Sequence, residues 1–98
     1  MKIWLDDVRD PPTNDWIRCT TIDQVIDYLQ TTEVTDMSLD HDLGCDINGN
    51  LLPTGYDLCK WMMENNKWPT KMLGIHSKNP VGRANMWAII ERYWLKME

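Results

Sequence analysis

The feature that constrains this chain most is a repeated punctuation: short apolar runs that stop at ionisable residues. Ile3-Trp4-Leu5 stops at Asp6-Asp7, Met37-Ser38-Leu39 at Asp40-His41-Asp42, and Met72-Leu73-Gly74-Ile75 at His76-Ser77. Apolar runs this short suit buried strands better than helices. Trp16-Ile17-Arg18-Cys19 is a further, shorter-signalled strand. Helical patterns alternate with these runs. Thr21-Ile22-Asp23-Gln24 has capping-box spacing, and Ile22, Val25, Ile26 and Leu29 then share one stripe. Thr54-Gly55-Tyr56-Asp57 opens a second helix, with Leu58, Trp61 and Met62 on its stripe. Asn79-Pro80 caps a third, carrying Trp87, Ile90, Trp94 and Met97 on one side and Asn85, Arg92 and Lys96 on the other. The alternation predicts an α/β chain: a small open parallel sheet of four strands flanked by three helices. The breaker cluster Asp10-Pro11-Pro12-Thr13-Asn14-Asp15 leaves a ten-residue loop, and no helix, between the first two strands. That is near the lower limit for a parallel crossover. Residues 43–53 read as another loop, where Asn48-Gly49 is a type I′ signal for a small hairpin. Gly44 and Gly55 stand where an EF-hand would need its first ligand and its closing Glu, which excludes that calcium loop.

Ninety-eight residues suffice for a single domain spanning 1–98. A net charge of -5 argues against broad duplex binding, which needs a basic face, but leaves room for one small phosphate-bearing ligand. No apolar run approaches the roughly 18 residues of a membrane span, and the start turns acidic after Leu5, unlike a secretory leader. A cytoplasmic setting with reduced thiols is therefore expected. Cys19, Cys45 and Cys59 form no CxxC, so they read as buried or idle rather than as zinc or redox groups. Six Trp and no Phe fit core packing along helix stripes. Trp16, Trp68 and Tyr93 are the candidates for an exposed patch.

Ligands of open parallel sheets bind beyond the carboxyl ends of the strands. Three of the four strands end there in ionisable groups. Asp6, Asp7, Asp40 and Asp42 would crowd four carboxylates into one crevice, and either a proton or a hard cation must relieve them. Mg2+, with carboxylates, water and phosphate as ligands, is the simplest choice, and Mn2+ an equivalent. Asp7 and Asp42 read equally well as caps or solvated loop charges. The only two histidines, His41 and His76, fall at the same edge and suit a general acid and base facing one phosphate. The run Ser77-Lys78-Asn79-Pro80-Val81-Gly82-Arg83 offers a hydroxyl, a helix start and a guanidinium fork to an anion. The plain alternative is capping by Asn79 with Arg83 in solvent. No Walker loop is present.

An acidic pair after the first strand, Asp40 after the third and Ser77 after the fourth resemble a receiver domain. The resemblance makes Asp40 the phosphoacceptor position and Asp6 and Asp7 the metal acids. It also implies the strand order 2-1-3-4. The chain departs from that pattern in lacking the first helix and in stopping before the fifth strand with its lysine, so it reads as a truncated receiver. The segments Trp4–Pro12, Ser38–Gly44, Thr54–Asp57 and Ile75–Met86 resemble, more closely, the cyclic-phosphate processing receiver-like family of bacteria and their phages. That resemblance implies processing of cyclic phosphates, including 2′,3′-cyclic ends left by RNA cleavage.

The combined expectation is a metal-dependent phosphoesterase. Asp6, Asp7 and Asp40 hold the ion, His41 and His76 transfer protons with Asp40 beside them, and Ser77, Asn79 and Arg83 bind phosphate. Arg9 is a further phosphate candidate, its alternative being a surface ion pair. The partner is a cyclic-phosphate-bearing nucleotide or RNA end. The rival reading is a non-enzymatic receiver-like signalling or protein-binding module, possibly from a phage.

Overall fold

Residues 1–95 are described by a computed structural model. The expected Met97 and Lys96 of the last helix lie outside them. Among the described residues the strands are β1 (Lys2–Leu5), β2 (Trp16–Cys19), β3 (Asp36–Leu39) and β4 (Met72–Ile75). They pair in parallel in the order β2-β1-β3-β4, as the receiver resemblance implied. The helices are α1 (Ile22–Thr31), α2 (Gly55–Asn65) and α3 (Pro80–Ile89), the last running on into a π-helical turn over Ile90–Trp94.

All three helices pack on one face. From β2 onward the chain steps steadily across the sheet to β3 and β4, and right-handed crossovers in one direction place their helices on one side. The ten-residue β1–β2 connection brings no helix to the other side. The strands therefore alternate rather than being apolar on both faces. Ile3, Leu5, Met37, Leu39, Leu73 and Ile75 are buried against Ile22, Val25, Leu58, Met62, Met86 and Ile90 of the helices. Lys2, Trp4, Asp36, Ser38 and Gly74 face the other way and are half-buried. The 6–15 loop folds back over that face, where the Trp4 indole Nε1 donates to the Arg9 carbonyl at 3.0 Å. Trp16 meets Trp4 edge-on, and the Lys2 ammonium lies over the Trp16 ring.

Local chemistry explains the element ends. The α2 capping box is complete: Thr54 Oγ1 accepts from the Asp57 amide, and Asp57 Oδ2 accepts from the Thr54 amide. At α1 only half of the expected box forms, because the Gln24 side chain accepts from the Thr20 amide instead of the Thr21 amide. The 43–53 loop does close a small antiparallel bridge, Cys45 to Leu51, but not through a type I′ turn. The turn is closed by the Gly49 amide donating to the Asp46 carbonyl, and of the residues 46–49 only Gly49 has positive φ, at 80°. Asp46 decides this by accepting from the Asn48 and Asn50 amides, which fixes the turn one residue earlier. On α3 the buried line is Gly82, Met86 and Ile90, with Trp87 and Trp94 half-buried beside it. The glycine lets the helix close in along that line, one position off the expected stripe.

Cys19 and Cys59 are buried, and burial pushes their thiols up to about 11 and about 12; Cys45 is exposed. The three aromatic patch candidates do not form one patch. Trp68 packs on the core and Trp16 against Trp4, leaving only Tyr93 among them exposed. No helix among the described residues is long and apolar enough to cross a membrane.

Candidate functional site

Leu5 pairs with Leu39, and Leu39 with Ile75. The next residue on each strand, Asp6, Asp40 and His76, therefore forms a lateral row at the carboxyl edge. The ladder still holds there: the Asp40 amide donates to the Leu5 carbonyl and the His76 amide to the Leu39 carbonyl, both at 2.9 Å. Period-two alternation turns all three side chains to the face without helices. Ligand atoms of Asp6, Asp40 and His76 lie within 4.8 Å of one another.

Each member of the row has a distinct electrostatic state. Asp6 is 1% exposed and fully engaged. Its Oδ1 accepts from the Val8 and Arg9 amides, both at 2.9 Å, and its Oδ2 from Arg9 Nε and His76 Nε2, both at 3.1 Å. Burial pushes the Asp6 pKa up, but the two amides, His76 and the Arg9 guanidinium together outweigh it and hold it below the ordinary value. Asp40 goes the other way. Burial raises it, the neighbouring Asp6 charge adds to the rise, and the His41 amide on its Oδ1 only partly offsets them. Burial lowers the His76 pKa despite its carboxylate neighbours, which favours the neutral imidazole. With Asp6 ionised, Nε2–H must donate to it, and Nδ1 accepts from the Ser38 hydroxyl at 2.7 Å. The ring stacks flat on Trp4, at 3.8 Å between centroids and 1° between planes.

Arg9 is the cation of the site. It bonds Asp6 through Nε and reaches the His76 carbonyl at 3.1 Å, which ties the loops after β1 and β4 together. Its side chain is 41% exposed, so part of the guanidinium is open to a ligand.

The structure divides the remaining expected residues. Asp7 stands outside the convergent trio; its Oδ2 lies against Gly44, 2.9 Å from where a Cβ would be. His41 follows Asp40 by one residue, so its side chain goes to the helix side. There its ring packs on Gly82, and Nδ1 bonds Asp42 Oδ1 at 2.9 Å. The two imidazoles are thus on opposite sides of the strand ends and do not face one phosphate. Asn79 caps α3 by accepting from the Gly82 amide, and its amide nitrogen approaches Asp42 and His41. The His41 bond comes first among the causes that lower the Asp42 pKa. Ser77 is buried and accepts from the Asn79 amide at 3.1 Å. Arg83 is exposed on the first turn of α3. Sequence reading passed over Ser38 and Trp4. The available signal was period two: Trp4 lies two residues before Asp6, and Ser38 two before Asp40, on the same face.

Two carboxylates and an imidazole are a donor set that a divalent ion accepts. The raised pKa of Asp40 beside ionised Asp6 is the strain that a cation relieves. The nitrogen donor suits Mn2+ better than Mg2+. Asp6, Asp40 and His76 are the residues that would hold the ion, with His76 in the place expected of Asp7.

The model of the cyclic-phosphate processing Receiver domain matches residues 1–92. The chain belongs to this family. No curated protein and no solved structure gives a match. As a cyclic-phosphate processing receiver domain, the chain keeps the receiver's carboxylate row at the ends of β1 and β3. The third strand end contributes an imidazole to that row.

Proposed function

We propose that this receiver domain is a phosphoesterase that opens cyclic phosphates, such as 2′,3′-cyclic ends of RNA or cyclic nucleotides, with the help of Mn2+ or Mg2+. The observation that supports this reading best is the Asp6–Asp40–His76 row with Arg9 against it. A divalent ion at the row supplies charge neutralisation of the phosphate and a more acidic bound water. The chain's own groups do the rest. Arg9 offers its open N–H groups to phosphate oxygens, and Arg83 at the start of α3 offers a second fork from the flank. Asp6, held by four donors, keeps His76 turned toward the row. Asp40 is the member whose pKa is raised, by burial and by the Asp6 charge, and it takes or returns a proton at the phosphate edge.

The test is incubation with 2′,3′- and 3′,5′-cyclic nucleotides, with Mn2+, with Mg2+ and with chelator, followed by phosphorus NMR. Conversion of a cyclic ester to a monoester that falls by roughly 10²-fold or more in Asp40→Asn supports the proposal. Unchanged substrates under every condition, or full turnover by Asp40→Asn, remove it.

A further inference from the structure

We propose that Ser38, together with Trp4, is a positioning device for His76: the indole fixes the plane of the imidazole, and the Ser38 hydroxyl fixes which ring edge faces Asp6 and Asp40. The inference rests on the proposed function only for what His76 is used for; the positioning itself rests on geometry.

Three contacts carry it. His76 Nδ1 is 2.7 Å from Ser38 Oγ, His76 Nε2 is 3.1 Å from Asp6 Oδ2, and the ring lies flat on Trp4 at 3.8 Å. Trp4, Ser38 and Gly74 are themselves a lateral pair row, one row back from the site on the same face. His76 thus leans back over the strands rather than out into solvent. A half-turn of an imidazole about its Cβ–Cγ bond replaces both nitrogens by carbons. Stacking on Trp4 is indifferent to that half-turn, since the plane is unchanged. Asp6 resists it from one edge and Ser38 from the other. A hydroxyl is the one small group that both donates and accepts. Ser38 can therefore donate to Nδ1 while Nε2–H faces Asp6. It can equally accept from Nδ1–H when Nε2 gives its lone pair to a cation. Either way the same edge stays forward. Ala in this place would leave Nδ1 without its side-chain partner, and Asp6 would hold the ring alone.

The experiment uses the full chain labelled with 15N at histidine, with Mn2+ and Zn2+ as the metal probes. In the metal-free wild type, imidazole spectra should show His76 as one tautomer, protonated at Nε2. Ser38→Ala should show averaged or mixed His76 tautomers and bind Mn2+ about 10- to 100-fold more weakly by calorimetry, the usual cost of losing a partner behind a ligand histidine. Ser38→Thr, which keeps the hydroxyl and suits a strand, should restore both. Zn2+ serves as the diamagnetic probe for the loaded spectrum, where the proton should move to Nδ1. The positioning role is overturned if Ser38→Ala keeps the single Nε2–H tautomer. It is equally overturned if Ser38→Thr fails to restore the wild-type spectrum while circular dichroism shows it folded. The tautomer spectrum needs neither metal nor substrate. A wild type that turns over no cyclic phosphate, or binds no Mn2+, would therefore fail the functional proposal while the spectra still decide on Ser38.

Discussion

Gly55→Ala is the substitution whose outcome follows most directly from the geometry. Gly55 opens α2 immediately behind the site, and its amide donates to the His41 carbonyl at 2.9 Å. A Cβ there would lie 2.1 Å from the Asp40 carbonyl oxygen and 2.8 Å from the Met86 methyl. Carbon and oxygen in contact need roughly 3.3 Å, so the two must part by about 1 Å. Met86 ends in a flexible chain and can yield, but the Asp40 carbonyl is backbone and cannot rotate away. Overpacking of this kind costs about 1–3 kcal/mol, and the Ala-over-Gly gain in helix propensity returns at most about 1 kcal/mol. The overlap with fixed backbone puts the cost at the upper end of that range, so a net loss of about 2 kcal/mol should lower the melting temperature by roughly 10 °C in a domain of this size. Gly82→Ala is the built-in comparison. Its Cβ would lie 2.4 Å from His41 ring atoms, a clash almost as close, but with a side chain that can swing out beside exposed Asp42. It should cost about 1 kcal/mol or less, the ejected His41 being its main effect. Thermal and urea unfolding followed by circular dichroism should rank wild type above Gly82→Ala, and Gly82→Ala above Gly55→Ala. A Gly55→Ala protein melting within about 2 °C of wild type, or less damaged than Gly82→Ala, would refute the premise that the Asp40 backbone is fixed there.

Asp40→Asn should raise the melting temperature at neutral pH. Burial and the Asp6 charge raise the folded pKa of Asp40, so its ionised form costs stability above that pKa, and the cost disappears as pH falls below the unfolded value of 3.8. The advantage of Asn should therefore shrink toward about pH 3, and an equal advantage at both ends of a melting series would contradict the assignment. His76 has the opposite sense: its lowered pKa predicts stability present above 6.5 and lost as pH falls from there through the folded value, a slope that His76→Gln should flatten. Of the thiols, Cys45 alone should react with a thiol reagent in the native protein at neutral pH. Cys19 and Cys59, with their pKa values pushed up by burial, should react only in denaturant, and native labelling of either would contradict the packing around it.

The architecture was largely legible because the pattern used both periods at once. Ile22, Val25, Ile26 and Leu29 announce α1, Thr54 and Asp57 announce α2, and the apolar triplets before Asp6 and Asp40 announce strands. Strand order was not legible from the residues; it came with the receiver resemblance. The site was legible as an edge but not as faces. Asp40 and His41 are adjacent in sequence, and both were assigned to one crevice, yet adjacency at a strand end means opposite sides. The same period, applied backwards, would have found Ser38 and Trp4. Arg9 carries more than expected because an Asx-type turn at Asp6 brings its guanidinium back onto the carboxylate, a loop conformation that no spacing rule reveals.

The lateral row of Asp6, Asp40 and His76 also restricts how a chain like this can change length. Every partner in the row comes from a different strand, and each reaches the helix-free face only by the parity of its position. One residue removed inside β1, β3 or β4 would hand that strand's functional group to the buried side and leave the other two facing a gap. The 43–53 loop carries no such parity, since its bridge from Cys45 to Leu51 is local. Insertions and deletions are thus confined to the segments between rows. There the chain can lengthen the walls around the carboxyl edge of the sheet without moving any group of the row.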